Sequence, residues 1–194
     1  HVDLAWTHYY AEKYIEAEQT AQEAEERIPP EYTLWEGRPG SEASETHHFY
    51  QLAKLQGLYA GIAMKRFKAR LDSLRSEYPD KNELYKQLPL DKKAKELMAQ
   101  AAKAYVSALY YGQLFSPRSR SLVITFDQIY EHVKSLNPTE YRMFYQAQRK
   151  AAKNLRGKQA RSGDVAGVQP FDFSDLEKWL DDCFGPLSPI EGEG

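Results

Sequence analysis

Small and apolar residues recur at Tyr50, Ala53, Gly57, Ala60, Met64, Phe67, Leu71, Leu74 and Tyr78, alternating by three and four positions without a miss. That alternation keeps one stripe on one side of a helix. It predicts a long packed element from about Ser41 to Tyr78, roughly ten turns. Proline disfavours helical geometry in the residue before it, so Tyr78-Pro79 ends the run. A second stripe of the same period, Thr7, Tyr10, Tyr14, Ala17, Ala21, Ala24 and Ile28, predicts a first helix from Asp3 to Arg27, stopped by Pro29-Pro30. Small residues on both seams (Ala17, Ala21 and Ala24; Gly57, Ala60 and Gly61) suit close antiparallel pairing of the two, with Ala17 near Gly57. The spacing of Gly57 and Gly61 also occurs in membrane helices, but Lys65, Arg66, Lys68 and Arg70 follow at once.

Further along, Asp80 with Glu83 opens a short helix to Leu88, and Asp91 caps a helix from Lys92 to about Phe115. Its stripe is Ala94, Met98, Ala101, Tyr105, Ala108, Gly112 and Phe115. Leu122-Val123-Ile124 is β-like but has no evident strand to pair with, and reads as an extended entry to a helix ending near Leu136. Asn137-Pro138-Thr139-Glu140 combines a cap, a proline in the first turn and a glutamate three positions on, starting a helix that runs to about Arg156, before Gly157. Ser174 with Glu177 opens a last short helix, stopped by Gly185-Pro186. The expected fold is all-α: an irregular helical bundle built on a long antiparallel helical hairpin, with a short amphipathic C-terminal helix on a flexible linker. Residues 1–161 form the bundle, 162–170 the linker, 171–185 an acidic amphipathic docking helix, and 186–194 a disordered Pro/Gly/Glu-rich tail.

A net charge of −2 conceals three blocks. From His1 to Pro30, seven acids face Lys13 and Arg27; from Arg142 to Arg161 there are seven bases and no acid; from Phe171 onward there are seven acids and Lys178 alone. Segregated charge selects partners where the mean does not. The single Cys183 rules out a disulfide framework within the chain and favours an intracellular, reducing compartment, the cytoplasm or an organelle matrix after removal of a leader. No window approaches 18 uninterrupted apolar residues, so membrane insertion is not expected.

Candidate chemistry is sparse. Glu45 and His48 have the spacing that puts both on one helix face, but a di-iron bundle needs a second such pair, and neither His8 nor His132 has a glutamate three positions before it. They remain the weak metal candidates, and no cofactor is expected. Cys183 sits between acidic neighbours, which raise a thiol pKa. No nucleophile elbow, phosphate-cradling glycine loop or zinc-protease motif occurs, and no small-molecule substrate is identifiable.

Two regions offer surfaces. Arg142, Arg149, Lys150, Lys153 and Arg156 on one helix, with Arg118 and Arg120 in a basic turn, could follow a phosphate backbone, while Tyr141, Phe144 and Tyr145 either stack on bases or form the buried side. A sequence pI near 6.3 weighs against nucleic acid as the main ligand. Phe171, Phe173, Leu176, Trp179, Leu180 and Phe184 place aromatic and aliphatic anchors on the tethered C-terminal segment, the pattern of a helix that docks in a partner's groove or folds back on its own body. The leading expectation is a non-enzymatic subunit or adaptor contacting other protein subunits. A nucleic-acid-binding helical protein comes second, and an enzyme or toxin domain with an unrecognised helical site third.

Overall fold

The computed structural model describes residues 1–29, 46–115 and 136–162. These form six α-helices and no strand, so the described chain is all-α: α1 (Val2–Tyr10), α2 (Tyr14–Glu25), α3 (Thr46–Glu77), α4 (Lys81–Gln87), α5 (Lys92–Phe115) and α6 (Pro138–Ser162). A 3₁₀ turn, Leu88–Leu90, joins α4 to α5.

The first expected helix is two. α1 ends in a Schellman arrangement, in which the Lys13 amide donates to the His8 carbonyl at 2.9 Å and the Glu12 amide to the Tyr9 carbonyl at 3.0 Å. Glu12 takes the left-handed conformation, φ 60°, that such a cap requires and that glycine usually supplies. The break shifts the helical phase, so Thr7 and Tyr10 are exposed while Ala17, Ala21, Ala24 and Ile28 keep the buried stripe.

Side-chain contacts then fix directions. Lys54 pairs with Asp3 and the Tyr9 ring covers Gly61, so α1 runs alongside α3 in the same sense. Glu18 takes both guanidinium nitrogens of Arg66, one at 3.0 Å, and Glu25 accepts from the Tyr59 hydroxyl at 2.9 Å, so α2 runs the opposite way. This register sets Ala17 near the level of Arg66, about two and a half turns beyond Gly57, where the sequence pairing expected it. The glycine notch receives a tyrosine ring: a Cβ on Gly61 would stand 2.7 Å from the Tyr9 hydroxyl.

α3 packs most extensively against α5. Phe49 stacks on Tyr111 with ring centroids 6.4 Å apart, and Arg70 grips Asp91 through two nitrogens at 3.2 and 2.6 Å, so these helices are antiparallel. The predicted α3 seam from Ala53 to Leu74 is buried throughout, and Leu52, Leu55, Leu58 and Ile62 are buried beside it. A single seam is too narrow for a helix covered on one side by α5 and on another by α1 and α2. In α5, residues 104–112 are buried without interruption, which marks the centre of the molecule. No helix among the described residues is long and apolar enough to cross a membrane.

The start signals read from the sequence form as hydrogen bonds. Asp80 accepts from the Glu83 amide at 2.9 Å and Asp91 from the Ala94 amide at 2.7 Å. α6 continues past Gly157 to Ser162, because one glycine among Arg, Lys, Gln and Ala costs only about 1 kcal/mol of helix propensity.

Candidate interaction surface

α6 carries the basic block, and its position follows from its first turn. The Glu140 amide donates to the Asn137 side chain at 2.9 Å and the Asn137 amide donates to the Glu140 carboxylate at 2.7 Å, a reciprocal capping box. Glu140 is buried, and burial raises its pKa above the ordinary value; the Asn137 amide and the charges of Arg75 and Lys68 act against that rise. The buried side continues through Met143, Phe144, Tyr145, Ala151, Ala152 and Leu155, and Phe144 meets Tyr105 of α5 edge to face at 6.1 Å.

The opposite side is exposed and reads Arg142, Gln146, Arg149, Lys150, Lys153 and Asn154, with no acid and no large apolar group. Its four cations span about 16 Å of helix. Arg149 lies over the Tyr145 ring at 5.0 Å, a cation–π contact. Arg142, Lys150 and Lys153 form no ion pair among the described residues. Of the three aromatics expected between the cations, Phe144 and Tyr145 are 0% and 1% exposed and serve the core, while Tyr141 is half-buried.

Part of the charge on α3 is neutralised within the chain. Arg66 meets Glu18, Arg70 meets Asp91 and Glu77, and Arg75 meets Asp72. The Arg70 guanidinium bonded to Asp91 holds that carboxyl below the ordinary carboxylate range, with the amides at the start of α5 adding to the effect.

Other sequence candidates fall differently. Phe171, Phe173, Leu176, Trp179, Leu180 and Phe184 lie outside the described residues, as do Arg118, Arg120 and Glu45, the β-like 122–124 run and the linker beyond Ser162. Arg156 is on α6, with its side chain outside the described set, and His48 is half-buried near the start of α3. Among the described residues no group of three or more His, Cys, Asp or Glu could hold a metal ion.

Two features were not singled out from the sequence. Leu4, Tyr10 and Ile15 expose 49%, 76% and 66% of their surface, gathering three of the large exposed apolar side chains among the described residues onto α1 and α2. Tyr10 belongs to a ring cluster in which Tyr9 lies 5.5 to 5.8 Å from Trp6, Tyr10 and Tyr14. The second is Gln148, 1% exposed on the inner side of α6, whose amide nitrogen and oxygen both lack a hydrogen-bond partner. Its place one turn after Phe144 and Tyr145 was a readable polar interruption of the apolar stripe.

No protein-family model, curated protein or solved structure matches the chain.

Proposed function

We propose that this chain is a non-enzymatic helical subunit or adaptor that joins a larger protein assembly in a reducing intracellular compartment. Its body is an irregular helical bundle built on a long antiparallel helical hairpin, the first helical region against α3, with α5 covering another side of α3. The carrying observation is the outward display of Leu4, Tyr10 and Ile15 on α1 and α2, since large apolar groups gathered at a surface favour a protein partner. The C-terminal segment supplies a second contact through Phe171, Phe173, Leu176, Trp179, Leu180 and Phe184, with Trp179 as its main anchor.

Native mass spectrometry of the protein isolated gently from its source tests this reading. A fixed stoichiometry with other proteins is expected, with the partner lost from a Leu4→Ser/Ile15→Ser variant or from Trp179→Ala. A lone chain of 22.4 kDa overturns it.

A second reading, nucleic-acid binding through α6, is favoured by the exposed row Arg142, Arg149, Lys150 and Lys153. With Phe144 and Tyr145 in the core, such binding uses phosphate contacts and tolerates any sequence. Co-purifying nucleic acid in the same spectra promotes it.

A further inference from the structure

We infer that the cationic outer face of α6 is the seat of this chain's own acidic segment, residues 172–182. Lys153 stands three residues after Lys150 and four after Arg149, spacings at which like charges on a helix destabilise each other. Arg142, Lys150 and Lys153 have no carboxylate partner among the described residues, although Arg66, Arg70 and Arg75 of α3 each have one. An anionic cover on α6 removes that repulsion, and the chain contains a suitable one: Asp172, Asp175, Glu177, Asp181 and Asp182, with Lys178 as the lone base.

Reach and charge both favour this occupant. Asp172 lies ten Cα-to-Cα steps after Ser162, the last residue of α6. An extended chain of that length covers up to about 33 Å. Lys153 lies only about 14 Å back along α6 from Ser162, and Arg142 about 30 Å. A short tether also holds the segment at an effective concentration on the order of millimolar, enough for individually weak surface pairs to act together. The acids of α1 and α2 sit on rigid helices, and Asp3, Glu18 and Glu25 are already engaged there with Lys54, Arg66 and Tyr59. A polyanion such as nucleic acid gains nothing from Phe144 and Tyr145 of α6, which are buried, and meets a chain of net charge −2.

The seat does not depend on the assembly reading. It concerns the acids of the segment within a single chain, whereas Trp179 and its apolar neighbours concern a partner.

Zero-length carbodiimide cross-linking of the full chain tests it, because this reagent joins a lysine amine to a carboxylate in direct contact. An equal mixture of unlabelled and nitrogen-15 chains is treated at about 0.02 M and about 0.5 M salt, and the cross-linked peptides are mapped. The expected products join Lys150 or Lys153 to a carboxylate in 172–182, within one isotope class, and fall at least threefold at the higher salt. Asp181→Lys/Asp182→Lys reduces them severalfold. Adding Lys150→Glu/Lys153→Glu to that variant restores cross-links with the polarity reversed. Mixed-isotope products, which place a second copy on α6, overturn the proposal. So do cross-links from these lysines only to other acids, the absence of cross-links, or lysines shielded by co-purifying nucleic acid. A chain that lacks partners in native spectra yet gives the expected products sinks the assembly reading and leaves the seat standing.

Discussion

α3 and α6 are both long, both turn basic residues outward and both bury one apolar side, yet they are completed differently. On α3, Lys54, Arg66 and Arg70 are answered by Asp3, Glu18 and Asp91 from three other helix regions, and those pairs help set how α1, α2 and α5 lie against it. On α6, Arg142, Lys150 and Lys153 have no such answer among the described residues, and Gln148 on the inner side has no hydrogen-bond partner. Surface ion pairs contribute little free energy singly, so the contrast concerns register and completeness more than strength. α3 is a finished scaffold, whereas α6 is well seated at its first turn and unfinished along both sides.

The largest expected effect tests the scaffold. Phe67 is fully buried in the seam of α3, between Met64 and Leu71. Phe67→Ala removes that ring and leaves a cavity, which typically costs about 3–5 kcal/mol. That is a large fraction of the roughly 5–15 kcal/mol by which domains are stable. Urea unfolding followed by circular dichroism measures it. A loss below about 1 kcal/mol would mean that α3 is not the element the remainder depends on.

The next effect has the opposite sign and belongs to α6. Gln148 buries an amide without satisfying it, and such a group costs about 1–3 kcal/mol relative to a paired or exposed one. Methionine has similar length and helix propensity, so Gln148→Met is expected to stabilise by about 1–2 kcal/mol in the same measurement. A neutral or destabilising result would show that the amide holds an ordered water or another group, and α6 would then be as complete inside as α3.

What was readable in the sequence follows the range of the forces involved. Caps act within three residues, so Asp80 with Glu83, Asp91 with Ala94 and Asn137 with Glu140 are legible and form as hydrogen bonds. The seam of α3 is legible because its period persists over most of the helix, and its burial from Ala53 to Leu74 follows. The break after Tyr10 is not legible, since Ala11-Glu12-Lys13 contains neither glycine nor proline. Glu12 enters the left-handed region at a cost of roughly 1–2 kcal/mol to let α1 fold back, with both helices then lying on α3. Register is equally hidden: it rests on Glu18 with Arg66 and Glu25 with Tyr59, contacts 48 and 34 residues apart. On the candidate surface, the cations of α6 were legible as a block, but whether Phe144 and Tyr145 face them or the core is decided by α5.

The smallest effect isolates the capping box at the first turn of α6. Burial raises the Glu140 pKa above its ordinary 4.5, against the pull of the Asn137 amide, Arg75 and Lys68. A carboxyl with a raised folded-state pKa contributes stability below its unfolded value, and that contribution is lost as pH rises through the folded value. Asp3 and Asp91, held down chiefly by Lys54 and Arg70, act in reverse: their contribution is present above the ordinary carboxylate range and is lost as pH falls. Glu140→Gln keeps an oxygen for the Asn137 amide, since glutamine also closes a capping box, while removing the titration. The stability of the variant relative to the parent is therefore expected to rise with pH above 4.5 and level off once Glu140 of the parent is ionised. Thermal unfolding of both chains across that window reads the difference directly, with the aspartates cancelling. A difference that falls as pH rises would mean that attraction to Arg75 and Lys68 outweighs burial, and that α6 is anchored to α3 by charge as α1 and α2 are.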